Sequence, residues 1–225
     1  PPAKGHGHRV PGRRADVMLS DGYHEVPRGK LAIVITTLEM RQPVDVRPVT
    51  PPAGWELVRP TAPSVAWYRA IFHAVGQDWP WFGRALMADG ALAQIIEDPK
   101  VHIYTLQRDG IDGGLVELDF RTAGQCELVY FGLTRQLIGS GAGRFLMNNA
   151  IELAWAQAIT RFHLNTCTLD SPQALAFYRR TGFVPVSQKV EIADDPRIAH
   201  GYDRSLGAPI PIFDQIGRAS CRERV

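Results

Sequence analysis

The chain has 225 residues, of which 45% are hydrophobic and 21% charged, a balance that suits one good-sized globular core or one domain with extensions. No apolar run approaches a membrane span and no secretory pattern opens the chain. Cys126, Cys167 and Cys221 are spaced too irregularly for a disulfide framework or a zinc site, so a reducing, cytoplasmic setting is expected. The formal net charge of +2 comes from the ends: residues 1–17 carry +3 and residues 216–225 carry +2, leaving −3 on residues 18–215, so no nucleic-acid and no membrane partner is expected.

Both ends read as foreign to the fold. Residues 1–17 are rich in Pro, Gly, Arg and His without periodicity, and are expected to be a disordered or spurious leader, with Met18 as the true start. His6 and His8 are not assigned to a metal. Residues 216–225 resemble a translated sequencing adapter and are treated as an artefact, which removes Cys221 from the chemistry. Between them, residues 18–53 are expected to form a strand extension and a linker, residues 54–200 the main domain, and residues 201–215 a C-terminal tail.

Leu31–Leu38 is a β-rich run that is expected to add to a sheet edge or to pair with a partner chain. Pro43–Pro52 holds four prolines in ten residues and reads as an extended linker. A short strand is expected at Trp55–Pro60. A helix follows from Pro63 or Ser64 to Val75, with Val65, Tyr68, Phe72 and Val75 on one face and Gly76 closing it. A second helical stretch is expected from Pro80 to a stop at Pro99. Trp67, Trp79 and Trp81 crowd this region and read as core aromatics rather than as pocket lining.

Val101–Leu106, Gly114–Phe120 and Gln125–Leu133 are expected to form an antiparallel meander. A helix follows, with Leu146, Ala150, Leu153 and Ala154 on its buried face. Arg161–Cys167 returns as a strand parallel to Gln125–Leu133. A short helix is expected after Asp170 or Ser171 as cap, with Pro172 in its first turn and Gly182 as left-handed stop. Phe183–Val186 and Lys189–Ile192 remain for a closing pair of strands. The sum is an α/β (α+β) fold, a mixed and mostly antiparallel sheet of six to seven strands with about four helices.

The strand Gln125–Leu133 runs into Ile138-Gly139-Ser140-Gly141-Ala142-Gly143-Arg144, a glycine turn at a helix start. Such a turn can hold a phosphate on its N–H groups and on the positive end of the helix dipole. It is not a P-loop, because no lysine is present. It is not a dinucleotide fingerprint, because Arg144 stands where the third glycine belongs, which also argues against a nicotinamide oxidoreductase. It does resemble motif A of the GNAT N-acetyltransferases, Gln/Arg-x-x-Gly-x-Gly/Ala, departing only at Ile138. Ala174, Tyr178 and Gly182-Phe183 resemble motif B of that family, which prefers Asn where Ser171 stands. The resemblance covers roughly residues 55–192.

This resemblance implies acetyl-CoA as cosubstrate, an amine acceptor and no metal. The pyrophosphate would sit on the turn Ile138–Arg144, and the pantetheine arm would pair with backbone near Phe131 and Leu133, with Ser171 nearby. The sheet would splay between Gln125–Leu133 and its parallel neighbour, helped by a bulge for which Gly132 is the candidate. A regular strand would put Glu127, Val129, Phe131 and Leu133 on one face. Glu127 occupies the family's general-base position, with Glu117 and Asp119 as rivals or as ligands for the substrate amine. Tyr178 occupies the general-acid position. Cys126 and Cys167, His102 and His163 are read as structural strand residues. The alternative is a non-catalytic acyl-CoA-binding or regulatory module, and sheet edges could support a homodimer.

Overall fold

The computed structural model describes residues 19–207 and 210–214. The expectations for residues 1–17 with His6 and His8, for Met18, and for residues 216–225 with Cys221 lie outside the described residues. The elements, in chain order, are β1 (Lys30–Met40), β2 (Glu56–Val58), α1 (Val65–Gly76), α2 (Asp89–Ile96), β3 (Val101–Arg108), β4 (Ile111–Asp119), β5 (Gln125–Leu133), α3 (Ala142–Trp155), β6 (Arg161–Cys167), α4 (Ala174–Arg180), β7 (Val184–Asp194) and α5 (Pro196–Ala199).

Among the described residues the strands form one seven-stranded sheet in the order β2-β3-β4-β5-β6-β1-β7. Every neighbouring pair is antiparallel except β5–β6. The mixed, mostly antiparallel architecture is the expected one. Among the described residues three apolar clusters cover the sheet, and the two larger ones lie on opposite faces of it. Val116, Leu118, Cys126 and Leu128 pack with Leu146, Ala150 and Ala154 of α3. On the other face Ile103 and Leu115 pack with Tyr68, Phe72 and Val75 of α1 and Leu92 of α2.

Three expectations are corrected. First, β1 is not at an edge: it lies between β6 and β7 and pairs with both. Leu38 and Met40 are buried in the α3-side core, while Leu31 and Ile33 pack with Leu169 on the other face. A strand apolar on both faces gains more inside a sheet than at its rim. The expected division at residues 53/54 therefore does not coincide with a break in the sheet. Second, the closing pair of strands is a single strand, β7, whose partner is β1. A register shift between Thr37 and Leu38 leaves Val186 unpaired beside Pro185, a bulge at the proline that cannot donate to a ladder.

Third, the helix expected from Pro80 begins only at Asp89, and residues 80–88 form turns instead. These turns carry Arg84 inward to the carboxylate of Glu117 on β4, with Nη2 2.5 Å from Oε1. A helix capped by Ser64 starts α1 as expected, its Oγ accepting from the Trp67 N–H at 3.1 Å. Trp67 and Trp81 pack against the core beneath α1, and each indole N–H reaches a carboxylate: Trp67 to Asp112 at 2.7 Å and Trp81 to Asp170 at 2.9 Å.

Candidate active site

The parallel ladder between β5 and β6 is short. Gln125–Leu128 pair with Arg161–Leu164, and beyond these rungs the two strands run on without pairing. The bulge that accompanies this parting is at Val129, not at Gly132: Leu118 stands opposite Leu128, and Glu117 stands opposite Tyr130. The extra residue changes which side chains share a face. Phe131 and Leu133 pack on the α3-side core, whereas Tyr130 packs with α1. Glu127 stands opposite Asp119, whose face also carries Glu117, so Glu127 does not share a face with Phe131 and Leu133 as a regular strand would require.

On the α1 side, Asp119, Glu127, His163 and Glu39 form one row across β4, β5, β6 and β1. Glu127 is half-buried, and its Oε1 accepts from Asn165 Nδ2 at 3.1 Å. Asp119 is held by Arg121, with Oδ2 2.5 Å from Nη2 and 2.9 Å from Nε. Burial works to raise its pKa, but Arg121 outweighs that and keeps it below the ordinary value. Glu39 accepts from Arg41 and Arg161, each at 2.6 Å. Burial, with Arg161 next, pushes the pKa of His163 down to about 4, so its ring is neutral at neutral pH. Glu117 is sealed at 0% exposure between Arg84 and the Tyr68 hydroxyl. Neither Glu117 nor Asp119 presents an unpartnered carboxylate to an amine.

On the α3 side, Tyr178 joins Phe131, Phe177 and Phe183 in an aromatic cluster with centroid separations of 5.7–6.3 Å. Burial, with the nearby charge of Asp170, raises its pKa, so the phenol stays protonated at neutral pH. The end of α4 is closed as expected: Gly182 takes φ +104°, and the Phe183 N–H reaches the Tyr178 carbonyl at 3.2 Å. Its beginning differs from expectation. The helix starts at Ala174, Pro172 precedes it, and Ser171 Oγ accepts only a 3.4 Å contact from the Gln173 N–H.

Asp170 is not a helix cap. Its Oδ2 accepts from Thr166 Oγ1 at 2.8 Å and from the Cys167 N–H at 2.9 Å, and its Oδ1 accepts from Trp81. It lines a cavity of about 390 Å³ with Trp79, Thr166, Cys167 and Ser171 at the carboxyl end of β6. The sequence signal for it was its position just past a parallel strand, where α/β sheets tend to place their ligands. Cys126 is buried, and burial raises its pKa; burial also pushes Cys167 up to about 11, so both are thiols rather than thiolates. Among the described residues no group of three or more His, Cys, Asp or Glu could hold a metal, and no helix is long and apolar enough to cross a membrane.

The glycine turn leads from β5 through a short 3-10 segment, Arg135–Leu137, into α3. Gly139 and Gly141 take φ +83° and +90°, the left-handed region that an L side chain resists. Ser140 N–H and Ala142 N–H are engaged within the turn, at 3.3 Å to the Leu137 carbonyl and 3.3 Å to Ser140 Oγ. The N–H groups of Gly139, Gly141 and Gly143 between them reach no acceptor among the described residues. Three alternate free donors at a helix start suit a bound diphosphate. Ile138, the departure from the motif, is 61% exposed and adds no polar group.

Residues 67–183 match the model of a family described as Acetyltransferase (GNAT) family. That is more than half of the chain, and the chain belongs to this family of acetyltransferases. Among solved structures it is similar to a GCN5-related N-acetyltransferase from Sphaerobacter thermophilus, with 19% identity and a TM-score of 0.53 over 74% of this chain and 51% of that one. A GNAT-family protein from Novosphingobium aromaticivorans is 16% identical, with a TM-score of 0.53 over 76% of this chain and 70% of that one. An aminoglycoside acetyltransferase from an uncultured soil metagenomic sample is 10% identical, with a TM-score of 0.50 over 61% of this chain and 93% of that one. At such identities the likeness is one of fold. The chain spans about half the length of the Sphaerobacter protein. No curated protein matches it.

Proposed function

We propose that the protein is an acetyl-CoA-dependent N-acetyltransferase that acts on a primary amine by direct attack in a ternary complex. The observation that carries this reading is the parting of β5 and β6 after Leu128 and Leu164, with Glu127 on one face of the last rungs and Tyr178 against Phe131 on the other. The free N–H groups of Gly139, Gly141 and Gly143 fit the pyrophosphate, with Ser140, Ala142 and Arg144 completing the turn. When bound, acetyl-CoA supplies an acetyl thioester to the gap.

Glu127 serves as the general base. A protonated amine must lose a proton before it can attack, and a half-buried carboxylate on the α1 side can take it directly or through water. Asn165 orients that carboxylate through its 3.1 Å hydrogen bond. Tyr178 serves as the general acid: its hydroxyl has no hydrogen-bond partner among the described residues, and its raised pKa keeps the proton available. Phe131 and Leu133 offer backbone groups to the pantetheine arm, and Ser171 offers a hydroxyl near it. The acceptor would enter from the α1 side, near Trp79 and Trp81.

The test is release of free thiol from acetyl-CoA in the presence of a panel of amines, with wild type beside Glu127→Gln and Tyr178→Phe. Amine-dependent release that both variants lose supports the reading. Acetyl-CoA binding with no release from any amine would favour the acyl-CoA-binding module instead.

A further inference from the structure

A second cavity, of about 660 Å³, adjoins the glycine turn at Gly141 and is walled by three separate segments. Arg144 comes from the first turn of α3, Arg180 from the last turn of α4, and Arg47 from the proline-rich crossover between β1 and β2. The crossover is fastened there. Asn148 Nδ2 of α3 donates to the Arg47 carbonyl at 2.7 Å, and Val44 lies so close to Gly182 that a Cβ on that glycine would be 2.9 Å from Val44 Cγ1. All three arginines are exposed, and none has an ion pair or a side-chain hydrogen bond with any described residue. Asp45 is the one carboxylate among the described lining residues, so that lining is net positive.

Three arginines that line one cavity from three segments, without carboxylate partners among the described residues, suit a multiply charged oxyanion. We propose that this cavity is a phosphate subsite for the 3′-phosphate of CoA, and that Arg47 makes the protein selective for the 3′-phosphorylated carrier. This rests on the acetyl-CoA reading above. CoA carries one phosphate beyond its pyrophosphate, and a pyrophosphate on the N–H groups of Gly139–Gly143 leaves the rest of the nucleotide next to this cavity. The crossover then acts as a third wall of the cofactor groove, which gives a segment outside the matched residues 67–183 a part in binding.

The experiment is calorimetric titration of the full chain with CoA and with 3′-dephospho-CoA, for wild type, Arg47→Ala and Arg180→Ala. Loss of a charge-assisted contact predicts that wild type binds CoA about ten-fold more tightly than 3′-dephospho-CoA. Arg47→Ala should weaken CoA by a similar factor while leaving 3′-dephospho-CoA unchanged, so that the preference collapses. Arg180→Ala should act in the same direction, and the preference of wild type should shrink as salt is raised. Equal binding of the two ligands by wild type would overturn the subsite and leave the acetyl-CoA reading intact. Equal weakening of both ligands by Arg47→Ala would also overturn it, since the arginine would then serve another part of the carrier. Binding of neither ligand would sink both proposals.

Discussion

Glu117 and Tyr130 face each other across β4 and β5, one residue out of step with the pair Asp119 and Glu127. The bulge at Val129 lies between them and turns Tyr130 to the α1-side face that Glu117, Asp119 and Glu127 share. Glu117 is enclosed by Arg84 and Tyr68, whereas Glu127 is held by Asn165 at the edge of the gap. Glu127→Gln should therefore lower kcat by about 10²–10⁴-fold, the usual contribution of a positioned base. Asp119→Asn should leave it within a few-fold. Initial rates of thiol release decide this, and the reverse ranking would move the base to Asp119.

Tyr178→Phe removes one oxygen and keeps the ring against Phe131, Phe177 and Phe183. A general acid acts in the transition state, so kcat should fall by about 10²-fold or more while KM for acetyl-CoA stays near the wild-type value. A change confined to KM would make the tyrosine a packing residue.

Glu117→Gln leaves the Arg84 guanidinium buried without its anion. Breaking a buried pair from one side costs about 3–5 kcal/mol, read as a lower midpoint in urea unfolding. Replacing both partners together, Glu117→Leu with Arg84→Met, should recover most of that loss, because well-packed apolar groups can replace a buried pair. Failure of the double variant to recover would show that the Tyr68 hydroxyl contact contributes most of the stability.

His163 makes a pH prediction with a definite sign. Its folded pKa of about 4 lies below the ordinary value of 6.5, so the unfolded chain binds a proton more readily. Its contribution is complete above pH 6.5 and is lost as pH falls through about 4. With allowance for its partial exposure, the loss should be about 1–2 kcal/mol. Urea midpoints between pH 7 and 4 measure it, and His163→Gln should flatten that part of the curve. An unchanged slope in the variant would assign the effect to another group.

Most of the fold was legible because its signals are local. Apolar alternation marked β3 to β5, the glycine turn marked the start of α3, and Gly182 marked the end of α4. What stayed hidden depends on distant partners. Nothing near Leu31–Leu38 says that its neighbours will be β6 and β7, and nothing near Pro80 says that Arg84 must turn inward to meet Glu117. The bulge at Val129 is a property of pairing with β4, so the glycine three residues later was the only local hint. Within the site, the glycine turn could be read from its spacing, Glu127 and Tyr178 were placed by the resemblance to the two GNAT motifs, and Asp170 offered only its position just past a parallel strand. Its partners Trp81 and Thr166 come together only once the α1 side and β6 are assembled.

A chain shortened to residues 54–215 tests the place of β1 directly. Without it, β7 has no neighbour in the sheet, and Leu164 and Phe162 lose the cover of Leu38 and Met40. The shortened chain should show no cooperative unfolding transition and should be cut rapidly by protease. A sharp transition near that of the full chain would mean that β1 is dispensable.

The same strand imposes an order on synthesis. Thr37 bonds to Asn165, 128 residues later, and Thr36 to Gln188, 152 residues later. At roughly 5–20 residues per second, the ribosome leaves β1 for roughly 6–25 s with both edges unpaired and both apolar faces uncovered. The earliest of the seven described strands to be made is thus among the last to be housed. In the cell, the yield of folded protein should depend on how well chaperones shield Leu31–Met40 during that wait.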